Sequence, residues 1–225
     1  MEFKGTKDVQ ASTVKIVSKA GRNISQGSGV LLGHSGYVAT CAHVVGDEVR
    51  GEVRWLGDPD VEEPYEVKAI DKKLDVAILQ ISQDFIKVVA KSAKPLTFVF
   101  SRDKIKVGTL VAICGYPWIT ETQIESGTFI HPPSITLGVV SLWRAQWKDT
   151  IMLSANLHPG ISGGPVYTEY GVVLGLASTS TVYTEEELGN PLSAGLPLGY
   201  GEMIPMPTVK VVAIKNRLKL GLQEA

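Results

Sequence analysis

The strongest constraint on the fold is a recurrence of short apolar runs, each long enough for a strand and none long enough for an extended helix. Val14 and Ile16 alternate with Thr13 and Lys15, the period-two pattern of a half-buried strand. Residues 27–33 and 37–41 form two further runs separated by His34-Ser35-Gly36, which reads as a tight hairpin. More β-like runs follow at 49–56, 65–70, 76–81, 107–114, 136–143, 150–155 and 172–177. Turn-forming residues punctuate most of them, so the pattern favours an all-β barrel or sandwich over a parallel α/β sheet.

There are enough strands in 225 residues for one large all-β domain or two small barrels. The alternation weakens across 83–106, where Lys91-Ser92-Ala93-Lys94-Pro95 is polar and turn-like. The crossing between two β-subdomains, about 10–92 and about 95–205, is expected there. A second irregular stretch, 117–133, exceeds an ordinary hairpin loop and is either a functional loop or an insertion. After Pro205 and Pro207 the pattern changes, with Val211, Ile214 and Leu218 on one helical face and Lys210, Arg217 and Lys219 off it. A C-terminal helix over about 207–220 is expected to pack on the barrel through that face.

Charge excludes some functions. Lysine plus arginine number 22 against 23 aspartates and glutamates, which is not the basic footprint of a nucleic-acid binder. No apolar run approaches the length of a membrane span, and the start, Met1-Glu2-Phe3-Lys4-Gly5-Thr6-Lys7-Asp8, is polar. The expectation is a soluble, cytoplasmic protein without a cleavable signal. The two cysteines, Cys41 and Cys114, lie in apolar runs and read as buried thiols. No metal-ligand spacing of Cys or His appears, so neither a metal nor another cofactor is expected.

The chemistry concentrates in Gly160-Ile161-Ser162-Gly163-Gly164-Pro165. Glycines on both sides allow close backbone approach to a ligand and display the serine as a nucleophile; a plain surface turn is the alternative. His43, in Thr40-Cys41-Ala42-His43-Val44-Val45, is the candidate base, since imidazole titrates near neutrality and can take and return a proton. A hydrogen-bonded structural histidine is the competing role. Asp75 opens Asp75-Val76-Ala77-Ile78-Leu79; it is either an exposed turn residue or, beside His43, the group that orients the imidazole.

The three words Thr-Cys-Ala-His-Val-Val, Leu-Asp-Val-Ala-Ile-Leu and Gly-Ile-Ser-Gly-Gly-Pro occur in the order His43, Asp75, Ser162. Together they resemble the chymotrypsin-fold (trypsin-like) serine proteases, above all the protease domain of the HtrA/Deg branch. The likeness extends to Gly115-Tyr116-Pro117, to Thr136-Leu137-Gly138-Val139-Val140-Ser141 and to Met203-Ile204-Pro205, roughly residues 10 to 220. It implies two six-stranded antiparallel β-barrels with a C-terminal helix, and an oxyanion hole from the N–H groups of Gly160 and Ser162. It also implies a substrate pocket walled by Asn156, Leu157, His158, Pro159, Ala177, Ser178 and Thr179, whose lack of fixed charge points to small or medium apolar side chains at the cleaved position. Polypeptide substrates follow, as does a homotrimer built through residues 1–11. Loops 117–133 and 181–198 are expected to cover or order the site, switching the hole between inactive and active arrangements.

Two departures stand out: Ile161 replaces the Asn or Asp of many relatives, and the sequence ends without room for the PDZ domain typical of that branch. The expected activity is serine endopeptidase, and the resemblance implies a part in protein quality control. A catalytically silent or resting-inactive scaffold with the same fold is the alternative. An α/β-hydrolase esterase is disfavoured because its chain order would be Ser, Asp, His.

Overall fold

The computed structural model describes residues 3–20, 23–46, 50–55, 62–92, 94–117, 123–124, 127–128, 133–144, 150–178 and 200–225. Two antiparallel systems carry the chain. The first contains β1 (Thr13–Ala20), β2 (Asn23–Leu31), β3 (Tyr37–Thr40), β4 (Gly51–Trp55), β5 (Glu62–Pro64), β6 (Glu66–Asp71) and β7 (Val76–Gln80), in the order β5-β4-β1-β2-β3-β7-β6. Its two outer strands are separated in the chain by Tyr65 alone. One bent strand thus pairs with β4 through its first half and with β7 through its second, a corner that brings the two ends of the sheet together.

The corner is held by Tyr65, which is buried and whose hydroxyl lies 2.7 Å from Ser18 Oγ. Glycine is required opposite it, because a Cβ on Gly51 would overlap the Tyr65 ring and the Val17 carbonyl.

The second system contains β8 (Thr97–Phe98), β9 (Leu110–Gly115), β12 (Ser134–Arg144), β13 (Thr150–Ser154), β14 (Pro165–Thr168), β15 (Val172–Ser178), β16 (Gly201–Pro205) and β17 (Gln223–Glu224). Its order β14-β9-β12-β13-β16-β15 closes through a β14–β15 pairing, a six-stranded antiparallel barrel, with β8 and β17 added in parallel beyond β15. A separate ribbon pairs β10 (Gln123–Ile124) with β11 (Gly127–Thr128). The expected all-β, two-barrel architecture is therefore the one observed, its first barrel completed by a corner and its second by a ladder.

Four α-helices lie among the described residues, besides a 3₁₀ turn at Arg102–Lys104: α1 (Thr6–Ala11), α2 (Ala42–Val45), α3 (Gln83–Ala90) and α4 (Met206–Lys215). Besides the single turn α2, the sequence reading overlooked α1 and α3. The second buries Phe85, Ile86 and Val89 and is capped by Ser82 Oγ, which accepts from Phe85 N–H at 3.2 Å; a single eight-residue stripe offers too few turns to declare a helical period. The C-terminal helix exists, but its expected face is corrected. Val211 and Ile214 are 45% and 64% exposed, while Met206, Thr208, Val209, Val212 and Ala213 are buried. The helix touches β15 and β16 on one side and β6 and β7 on the other, so its buried stripe is chosen by the junction between the barrels.

The core has two parts. The smaller fills the second barrel around Val111, Ile113, Ile151, Leu153, Leu157 and Ile161. The larger runs from the first barrel across the junction to Cys114, Tyr167, Leu176 and α4. Both cysteines are buried free thiols. The segment α1 bridges the same junction: Gln10 Nε2 donates to Pro133 O at 3.1 Å, and Thr6 Oγ1 lies 3.3 Å from the Tyr167 hydroxyl. No helix among the described residues is long and apolar enough to cross a membrane.

Candidate active site

β3 stops at Thr40, and the chain turns at Cys41 (φ −77°, ψ 144°) into the single helical turn α2, which projects His43. Asp75 sits opposite, at the start of β7. The preceding turn is closed by Asp71 Oδ1, which accepts from the N–H groups of Lys73 and Leu74 at 3.1 and 3.0 Å. Asp75 itself has φ 56°, a left-handed backbone that costs a non-glycine residue about 1–3 kcal/mol and persists only where surrounding contacts over-determine it.

Contacts with α2 and β15 supply this. Asp75 O accepts from Ala42 N–H at 3.1 Å and Asp75 Oδ1 from His43 N–H at 3.0 Å, so this residue satisfies the first two amides of α2. His43 Nδ1 lies 2.8 Å from Oδ2 and 3.0 Å from Oδ1, and Ser178 Oγ donates to Oδ2 at 3.2 Å. Burial pushes the Asp75 carboxyl up, but the hydrogen bonds and charge of His43, with the Ser178 bond, outweigh it and hold the pKa below the ordinary aspartate value. An ionised carboxylate only accepts, so Nδ1 carries the proton and Nε2 presents its lone pair. The imidazole is 42% exposed and the carboxylate 13%. A cavity of about 230 Å³ opens over them, lined by Ala42, His43, Gly46, Lys72 and Asp75.

The serine arrives from the second barrel. Gly160 has φ 96° and follows Pro159, while Ile161 N–H donates to His158 O at 3.1 Å; proline then glycine at positive φ is the pattern of a type II turn. Gly164 N–H returns to Ile161 O at 2.9 Å and Gly163 N–H reaches Ala177 O at 2.7 Å. Ile161 answers the departure noted in the sequence: it is 1% exposed, within the core of the second barrel, so the turn is anchored by apolar burial rather than by a polar side chain. Among the described residues, nothing accepts the N–H of Gly160 or Ser162.

Ser162 is 5% exposed, and its Oγ is buried without a hydrogen-bond partner among the described residues. The structure thus joins His43 to Asp75 and leaves the serine hydroxyl unbonded to the imidazole. A buried hydroxyl without a partner is costly and rare outside functional sites.

The remaining candidates divide. Asn156, His158 and Pro159 are exposed; Leu157 is packed in the core at 3% exposure, close enough to Gly201 that a Cβ there would overlap it. Ala177 is buried and gives its carbonyl to Gly163. Ser178 serves the carboxylate. Thr179, the loop 181–198 and most of 117–133 lie outside the described residues.

The sequence reading missed Cys41 and Ser28 as parts of the site. Donor atoms of Cys41, His43 and Asp75 lie within 4.8 Å of one another. The thiol is wholly buried, donates to Ala177 O at 3.3 Å, and has its pKa raised by burial and then by Asp75, so the trio is a hydrogen-bonded group rather than a set of free metal donors. Ser28 stands behind the turn that carries Ser162; the glycines on either side of Ser28 were the available signal of close approach.

A family model described as trypsin-like peptidase domain matches residues 27–176, the span that includes His43, Asp75 and Ser162. A probable periplasmic serine endoprotease DegP-like of Halomonas elongata is 31% identical over 174 residues, covering 77% of this chain and 33% of its own. A relative of the same description in Brucella suis is 30% identical over 209 residues, covering 90% and 35%. Among solved structures, a serine endoprotease from Yersinia pestis superposes with TM-score 0.69 at 20% identity, over 94% of this chain and 65% of that one. The chain spans about a third of the length of the curated relatives it matches. Their names overturn the expected cytoplasmic location: they point to the periplasm, and a polar first segment carries no information against it.

Proposed function

Because the chain belongs to the trypsin-like peptidase family, we propose that it is a serine endopeptidase that cleaves polypeptide substrates through an acyl-enzyme. His43 Nε2 removes the Ser162 hydroxyl proton as Oγ attacks the peptide carbonyl, then protonates the departing amine; water repeats the sequence to release the acyl group. Asp75 keeps the imidazole in the Nδ1–H tautomer and stabilises the imidazolium. The unclaimed amides of Gly160 and Ser162 receive the developing oxyanion. The observation that carries this reading is the double acceptance of His43 by Asp75, at N–H and at Nδ1.

The buried, unbonded Ser162 Oγ favours a resting form in which a small shift of the serine or the imidazole must precede attack; catalytic hydrogen bonds commonly tighten only with substrate. The periplasmic names of the relatives support action in that compartment; a part in protein quality control belongs to the same proposal. Leu157, packed against Gly201, supports a shallow pocket for small or medium apolar side chains.

The test is incubation with unfolded casein and with a serine-directed fluorophosphonate, beside Ser162→Ala. Wild type should be labelled and hydrolyse casein, with turnover lower by about 10⁴-fold or more in the variant. Equal activity in both proteins would refute the assignment.

A further inference from the structure

We infer that Ser28 is a positioning residue for catalysis: from the first barrel it sets the direction of the Gly160 carbonyl, and with it the amides of the nucleophile turn in the second. The inference rests on the peptidase reading of the site. Ser28 lies on β2, wholly buried. Its Oγ donates to Gly160 O at 2.7 Å and accepts from Tyr116 N–H at 2.9 Å. Its N–H donates to Ser162 O at 2.8 Å, and its carbonyl accepts from Thr40 Oγ1 at 2.7 Å. One residue therefore holds the carbonyls on both sides of Ile161, in the turn that carries the nucleophile.

The need for this grip comes from Gly160. Without a Cβ, glycine leaves its own ψ undetermined by local sterics, so a donor outside the turn must decide where its carbonyl points. The Ser28 hydroxyl has one proton to give and gives it there. It cannot swing away: a Cβ on Gly115 would lie 2.9 Å from Ser28 Oγ and 3.1 Å from Ile161 Cα, so three backbones close around it. The neighbouring Gly27 approaches α2 in the same way, its notional Cβ lying 2.6 Å from Val44 Cγ1 and 3.1 Å from Ser162 O. The short stretch Gly27-Ser28 thus touches both the turn that bears the nucleophile and the helix that bears the base, and gauges the distance between them. A displacement of about 1 Å in such a constellation costs on the order of 100-fold in rate.

The experiment uses wild type, Ser28→Ala, Ser28→Cys and Ser162→Ala with a peptide p-nitroanilide bearing a small apolar residue at the scissile bond, and the matching peptide aldehyde as a transition-state analogue. Sites are counted by end-point fluorophosphonate labelling, so that kcat refers to folded, competent enzyme. Ser28→Ala should lower kcat about 10- to 100-fold with KM held within about two-fold, and weaken the aldehyde by the factor lost in kcat/KM. Ser28→Cys, which keeps a weaker donor, should fall between. A merely structural serine would reduce the number of labelled sites and leave kcat per site unchanged; that result overturns the inference. If Ser28→Ala does not fold, Ser28→Cys decides, with wild-type kcat overturning it and a lowered kcat at unchanged KM supporting it. Failure of the peptidase reading is distinct, because wild type would then match Ser162→Ala, and the inference would fall with it.

Discussion

Replacing Asp75 by Asn tests the chemistry of the site with a change of one atom. In the native protein Oδ1 accepts from His43 N–H at 3.0 Å, and Oδ2 accepts from His43 Nδ1 at 2.8 Å and Ser178 Oγ at 3.2 Å. An asparagine has one acceptor atom, and the backbone amide of α2 cannot turn to suit it, so the oxygen should stay at the Oδ1 position. The amide nitrogen then faces Nδ1 and forces it to accept, which moves the imidazole proton to Nε2, where a base is needed. The expected loss in kcat is about 10⁴-fold, roughly 5 kcal/mol of transition-state stabilisation. KM should change little, because no substrate contact is removed.

The same variant carries a stability signature. The folded pKa of Asp75 lies below the ordinary aspartate value, so the native carboxylate contributes stability that is fully present above the unfolded pKa, about 3.9, and is lost as pH falls through the folded value. Asp75→Asn should be less stable than wild type at neutral pH, with the difference narrowing in acid below pH 4. Steady-state kinetics and urea titrations from pH 3 to pH 8 provide both readouts. Activity within about ten-fold of wild type, with an unchanged acid profile, would refute the assigned tautomer and the role of the carboxylate.

Lys15 is 5% exposed, and burial followed by the charge of Arg54 lowers its pKa from 10.5 to about 8. The folded state therefore releases this proton before the unfolded one does, and this group makes stability rise as pH climbs from 8 towards 10.5. Lys15→Met should remove that rise, measured by urea midpoints at pH 7 and pH 10; a variant that keeps the rise would contradict the burial argument. Leu157→Ala should cost about 2–4 kcal/mol as a core truncation and admit larger side chains at the cleaved position. Cleavage after Leu should gain about ten-fold over cleavage after Ala in a peptide library, whereas an unchanged preference would remove Leu157 from the pocket.

The candidate residues stand out in the sequence, and the structure pairs two of them, His43 with Asp75, while Ser162 Oγ has no hydrogen-bond partner among the described residues. His43, Asp75 and Ser162 each occupy a short word in which small or apolar neighbours isolate one reactive side chain, and such words survive as local pattern. The two-barrel architecture was legible for the same reason, since period two needs only a few residues to declare itself. The short helices were not: α1, α2 and α3 are six, four and eight residues, too few turns to separate a 3.6 period from noise. The buried face of α4 misled because Val211 and Ile214 are as apolar as Val209 and Val212, and only the two barrels against which the helix lies distinguish them. Compartment was misjudged because a polar start was given weight that the relatives remove.

By itself, then, the sequence determined the strand rhythm, the three candidate side chains His43, Asp75 and Ser162, and the glycines that allow close approach at residues 160–164. Only the tertiary structure decided how they meet. The left-handed Asp75, the service of Ser178 to the carboxylate, the apolar anchoring of Ile161 and the grip of Ser28 on Gly160 O all join residues distant in the chain. Local pattern records what a residue offers to its neighbours in sequence. A hydrogen bond across 132 positions, from Ser28 to Gly160, exists only once two barrels have packed, and neither residue announces the other.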